Sequence, residues 1–441
     1  MALSPTIVKQ SVTACPSLTR NVTVAAAGSV LYACCQWGIL LVIAKVSGAT
    51  DVGTFTLALT IAGPVFVLAN LQLRSFQATD ARHEFSLTDY IGLRMATTLV
   101  AAVLTIALGA LLGNRGEVLT IIAAVAASKS VECILDILYG HCQNNERMDR
   151  VCLSLCFRGG LSLLAVFLIL AGTGNLVLAC WSISASWLVV LFAWDLPFIL
   201  KNRGLSISVR RLRSLLPWAS LSIWRRIRPA VTTLGLATVA SSLNANTPKY
   251  FLQHMAGLHA LGIFAGISYF QTAATNVSVS MSQALAPRLA ILKNAADKRG
   301  FLRVALSAAV LALCLGSAGL TVAFVFGKPV LARMYNLDYA NHLAEFKRLM
   351  VAAVLFHQVA FLNDALLALR RFRTLLGSVV ATGLALVLSC CILIPTRGIR
   401  GAAEAVLIGG VVQFGWALYG VSRELMKHWD VPLPVRLSPA A

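Results

Sequence analysis

A chain of 441 residues with 58% hydrophobic and only 12% charged side chains, and a mean hydropathy of +0.79, is too apolar for a soluble domain and reads as a polytopic membrane protein. Its net charge of +20 would suggest nucleic acid in a soluble protein. Here most Lys and Arg residues fall between apolar runs, where they set topology instead, and no nucleic-acid partner is expected.

Residues 1–20 lack a continuous apolar core and read as a cytoplasmic tail rather than a cleaved signal. Apolar runs of spanning length then follow at about 21–44, 52–73, 90–112, 118–141, 151–171 and 175–199, and again at about 229–247, 257–283, 302–326, 346–368, 375–395 and 401–420. In the first run, Gln36 either faces a polar lumen or makes an interhelical hydrogen bond. In the second, Pro64 removes one helical hydrogen bond, a break that either lines a cavity or is a tolerated kink. Asn70 lies near the end of that run, Arg74 follows it directly, and Arg94 sits inside the next, so two cations flank one membrane surface.

In the fourth run Lys129, Glu132 and Asp136 stand at i, i+3 and i+7 and share one helix face. Each would cost about 2.5–3.5 kcal/mol at the bilayer centre. The stripe is therefore expected to face a wet cavity between the two halves, or else to contain a self-neutralising Lys129–Glu132 pair. Tyr139 and Gln143 continue the face; Arg158 in the fifth run is placed to neutralise Glu132 or Asp136; and Asp195 reads as a solvated helix end. Residues 201–228, dense in Arg and carrying Trp218 and Trp224, read as a basic interfacial linker on the cytoplasmic leaflet.

The second half repeats the first. Gly48, Gly53 and Phe55 have counterparts in Gly257, Gly262 and Phe264 at one constant offset; Arg74 and Arg288 close comparable runs; and Asp136 and Asp364 each precede a basic loop. The expected architecture is all-α, with about twelve helices in two pseudo-symmetric lobes, 21–200 and 229–420, and a tail at 421–441. Gly109-x-x-x-Gly113 and Gly262-x-x-x-Gly266 suggest close helix packing. The distribution of basic loops puts both termini in the cytoplasm. Cysteines such as Cys133 and Cys180 lie within apolar runs and read as packing residues; there is no C-x-x-C pair, and no metal site is expected.

Gly53-Thr54-Phe55, the Pro64–Leu73 segment, Arg74 with Ala78-Thr79-Asp80, and Asp89-Tyr90 leading to Arg94 form one set of motifs. Ser242–Tyr250, Gly257–Phe270 and Ala284–Ala290 form a second. Together they resemble the polysaccharide transporters, the Wzx-type lipid-linked oligosaccharide flippases of the multidrug/oligosaccharidyl-lipid/polysaccharide exporter (MOP) superfamily. The resemblance implies a MATE-like fold and translocation of a polyprenyl-diphosphate-linked oligosaccharide across the bacterial inner membrane, by alternating access, for O-antigen, capsule or exopolysaccharide synthesis. A polysaccharide polymerase and assembly proteins would be partners, beside membrane lipids. A diphosphate headgroup needs cations, Arg above all. Arg74, Arg94, Lys129, Arg158 and Arg288 are the headgroup candidates, while Glu132, Asp136, Asp364, Gln36 and Asn70 are candidates for the cavity or for ion coupling. An ion-coupled drug or cation exporter is the main alternative, followed by a lipid II flippase and a membrane glycosyltransferase or polymerase. No nucleotide-binding loop, zinc helix or nucleophile elbow is present, so neither an enzyme nor a cofactor is expected.

Overall fold

The structure is a computed structural model that describes residues 18–74, 77, 86–145, 147–203 and 221–427. The chain termini, the Ala78-Thr79-Asp80 motif and the 204–220 part of the expected basic linker lie outside the described residues. Within them all regular secondary structure is helical, in the order α1 (Leu18–Val46), α2 (Ala49–Asn70), α3 (Leu87–Leu111), α4 (Gly116–Asn144), α5 (Met148–Thr173), α6 (Leu176–Val190), a π-helical turn (Leu191–Asp195), α7 (Leu196–Arg203), α8 (Leu221–Asn294), α9 (Lys298–Met334), α10 (Leu337–Ala340), α11 (Leu343–Ala368) and α12 (Phe372–Leu425).

Nine of these helical stretches are long and apolar enough to cross a membrane. Two long helices are broken at glycines, α8 at Gly257 and α12 at Gly398. α12 counts once among the nine and α8 not at all, so the second arm of α12 and the two arms of α8 bring the passes to twelve, and the chain is a multi-pass membrane protein. Large apolar side chains such as Leu99, Val100, Phe324 and Phe326 remain exposed on outer faces, as lipid contact requires.

Helix ends follow local chemistry. Ser86 and Asp89 form a reciprocal capping box at the start of α3, Asp89 N–H donating to Ser86 Oγ (3.2 Å) and Ser86 N–H to Asp89 Oδ2 (3.0 Å). Asp89 is thus a helix cap. The seventh pass does not end near 247, as the run of apolar residues suggested, but continues through Lys249 and His254 to Gly257. Asn244, Asn246 and Lys249 line a cavity inside the protein, and composition alone reads such a polar stretch as a helix end.

The internal repeat is visible in the backbone. Gly48 (φ 93°, ψ −177°) caps α2, and Gly257 (φ 84°, ψ −179°) breaks α8, in the same left-handed conformation, one that disfavours any side chain. The elements each glycine introduces then meet. A Cβ on Gly53 would overlap the Leu258 carbonyl, and one on Gly262 would overlap the Ala49 carbonyl. Ala49 and Leu258 are themselves related by the repeat offset, so the contact is a pseudo-two-fold one. Gly266 continues this packing against Tyr335 and Tyr339, whereas Gly113 (φ 83°) has open space around it and serves only as a turn.

The same end is closed by aromatic residues. Trp37 on α1 stacks on Tyr269 (6.0 Å) and meets Phe270 edge-on (5.0 Å), and its indole N–H donates to the Tyr335 hydroxyl at 3.0 Å. Along the seam, Pro64 has no N–H to offer Thr60 four residues earlier. The free Thr60 carbonyl accepts the hydroxyl of Tyr250 from the opposite half at 2.6 Å. The break at Pro64 therefore serves the seam between the halves.

Candidate functional site

The charged residues of the first half converge. After α2 the chain turns through Leu71 and Gln72, both left-handed (φ 48° and 52°), and this turn carries Arg74 back onto α4. There Arg74 Nη1 binds Asp136 Oδ1 at 3.2 Å and its Nε donates to Gln143 at 3.3 Å. Arg94 reaches the other Asp136 oxygen at 3.0 Å and donates to the Asn70 side-chain oxygen at 2.6 Å. Asn70 also accepts the thiol of Cys133 (3.1 Å). One turn away, Glu132 takes Lys129 (2.7 Å) on one oxygen and Arg158 (3.0 Å) on the other. Arg158 donates to the Tyr32 hydroxyl as well and lies against the rings of Tyr32 (4.6 Å) and Trp187 (4.2 Å).

Four cations thus share two carboxylates in direct ion pairs, which leaves the cluster positively charged. The cations are not equivalent. Arg94 and Arg158 have side chains only 1% and 2% exposed, against 34% for Arg74 and 30% for Lys129. A cavity of about 140 Å³ opens onto the cluster, lined by Arg74, Arg158, Glu132, Asp136, Tyr32 and Tyr139 among others. Arg94 stands behind this wall and holds Asp136. The Nε of Arg158 has no hydrogen-bond partner, which leaves an Arg donor unpaired at the cavity wall.

The described residues lining this cavity come from α1, α4, α5 and the turn after α2, whereas the sequence suggested a stripe between the two halves. Asp195 also departs from its reading as a solvated end. The π-turn sets it inward, 8% exposed, where it accepts a hydrogen bond from the Ser154 hydroxyl (2.6 Å), leaving Ser154 to accept one from the Tyr139 hydroxyl (2.7 Å). A π-turn in an α-helix redirects side chains in this way.

The other sequence candidates lie apart from this cluster. Gln36 has its amide nitrogen buried without a partner. Arg288 is exposed on the second arm of α8. Asp364 on α11 accepts the hydroxyl of Ser282.

Sequence reasoning passed over Tyr32, Trp187 and Lys249. The two aromatic residues are ordinary lipid-facing candidates until Arg158 is seen between them. Lys249 lay two residues beyond the expected end of its span, and only its continuation to Gly257 brings it inside.

The lipid II flippase MurJ, in an inward closed conformation, superposes with a TM-score of 0.70 at 11% identity, covering 91% of this chain and 87% of that one. A MOP superfamily transporter from Pyrococcus furiosus superposes with a TM-score of 0.62 at 16% identity, covering 93% and 95%. The chain has the MOP superfamily fold. The MOP fold fits the two glycine-related halves and the absence of strands among the described residues. In sequence, the chain is 23% identical over 401 residues to the capsular polysaccharide biosynthesis protein CapF of Staphylococcus aureus, covering 90% of this chain and 97% of that protein. No protein-family model matches. In fold the chain is thus similar to MOP superfamily transporters, and in sequence to a capsular polysaccharide biosynthesis protein.

Proposed function

We propose that this protein translocates a polyprenyl-diphosphate-linked oligosaccharide across the bacterial inner membrane for the synthesis of a surface polysaccharide. The observation that carries this reading is the excess of cations over carboxylates in a membrane-embedded cluster that opens into a small cavity. Such a cluster suits a compact, doubly charged group, and Arg donors match phosphate oxygens in bidentate geometry. Arg74 and Arg158 contact the diphosphate, while Arg94 and Lys129 hold the carboxylates that position them. The basic loops around 145–150 and 370–373 orient this end toward the cytoplasm, where lipid-linked precursors are collected, with both termini on the same side. Two lobes, 21–200 and 229–420, alternate access without covalent chemistry while the polyprenyl chain stays in lipid. A polymerase and assembly proteins receive the cargo outside.

A cationic drug is disfavoured as cargo, because both carboxylates that would bind it already carry two cations each. The test is a reconstituted flipping assay with a fluorescent lipid-linked oligosaccharide. Arg74→Ala should slow transport per inserted protein by about tenfold, the cost of one charge-assisted contact, and Arg74→Lys should restore part of it. Full transport by Arg74→Ala would sink the headgroup assignment.

A further inference from the structure

The second half holds a larger cavity of about 560 Å³ between the two arms of α8, α11 and α12. This is within the roughly 300–1,000 Å³ of ligand-sized pockets and four times the volume of the charged cavity in the first half. Half of the residues that line it carry amides or hydroxyls, among them Asn244, Gln271, Asn363, Thr382 and Gln413, set in an otherwise apolar wall. Into it projects one cation, Lys249. Among the described residues its ammonium has one weak contact, the Asn246 side-chain oxygen at 3.4 Å, and no carboxylate lines the cavity. The acid nearest in sequence to the wall, Asp364, is engaged by Ser282. The side-chain oxygen of Asn363 is buried without a partner.

A lysine inside a membrane domain is costly unless it meets an anion, and among the described residues none is in contact with this one. Amides offer paired donors and acceptors that match vicinal hydroxyls, and Phe264 and Phe356 add apolar faces to the same wall. We propose that this cavity is the glycan chamber, and that Lys249 selects a negatively charged sugar, such as a uronic acid, by pairing with its carboxylate. The inference rests on the lipid-linked oligosaccharide reading above. It divides the cargo by size and charge: the diphosphate goes to the small arginine-lined cavity and the acidic sugar to the large amide-lined one.

The test uses purified full-length protein in lipid nanodiscs and three probes: a galacturonic acid trisaccharide, neutral maltotriose and farnesyl diphosphate. Lys249→Met should weaken trigalacturonate binding about tenfold, as expected for loss of one charge-assisted contact, while Lys249→Arg keeps most of it. Maltotriose and farnesyl diphosphate affinities should stay unchanged in both variants. Asn363→Leu should weaken both trisaccharides, since its amide serves hydroxyls that both carry.

Unchanged trigalacturonate affinity in Lys249→Met would overturn the assignment. So would an equal loss in Lys249→Arg. Loss of farnesyl diphosphate binding in Lys249→Met would assign the lysine to the headgroup and overturn it too. Farnesyl diphosphate affinity that survives Arg74→Ala defeats the headgroup site alone, so the two readings fail separately.

Discussion

At the level of single residues, the acidic stripe of α4 is asymmetric. Glu132 accepts one half-exposed cation, Lys129, and one that is 2% exposed, Arg158. Removing Lys129 leaves Glu132 still paired. Removing Glu132 strands Arg158 among aromatic rings without a carboxylate, and breaking a buried pair costs about 3–5 kcal/mol. Lys129→Met should therefore keep nearly normal abundance and melting temperature, and Glu132→Gln should lower both. Adding Lys129→Met to Glu132→Gln should not restore stability, because the stranded charge is Arg158. Recovery in the double variant would instead mean that Lys129 and Glu132 form a self-contained pair. The spacing of Lys129, Glu132 and Asp136 was legible in the sequence. Their partners Arg158 and Arg94 come from other helices, and which carboxylate each would choose was not.

At the level of elements, the Pro64 break and the seam between halves are one feature. The Thr60 carbonyl that Pro64 leaves free is satisfied by Tyr250 from α8. Tyr250→Phe leaves that carbonyl unpaired, at a cost of about 1–3 kcal/mol. Pro64→Ala supplies an N–H that rebuilds the helical bond. Combining the two should raise the melting temperature above that of Tyr250→Phe alone. A double variant no more stable than Tyr250→Phe would show that the hydroxyl matters for some other reason. The proline was visible as a helix break from the start. What the break was for required the neighbour across the seam.

At the level of the whole molecule, Gly53 and Gly262 bring the two halves into backbone contact, and neither contact can yield by a rotamer change because the opposing atoms are main chain. A single methyl at either position must move a helix. Gly262→Ala, and equally Gly53→Ala, should separate the halves at this end and slow transport, read as a longer spin-label distance between α2 and the second arm of α8. Unchanged distance and rate in both variants would remove this pair as the seal. The Trp37–Tyr335 hydrogen bond and its surrounding rings lie at the same end and would loosen with it.

Hydropathy and spacing alone determined the membrane class, the number of passes and the repeat that relates Gly48, Gly53 and Phe55 to Gly257, Gly262 and Phe264. Those features are periodic along the chain, and the bilayer constrains every pass in the same way. The tertiary structure decided which charges line a cavity and which are sealed behind it, since that depends on burial and on partners far apart in sequence. Arg74 and Arg94 look alike as residues beside a membrane surface, yet one lines a cavity and the other is sealed behind it. Lys249 looked like the end of a helix until the chain was seen to continue past it, which sets the charge in the wall of a cavity that no carboxylate lines among the described residues.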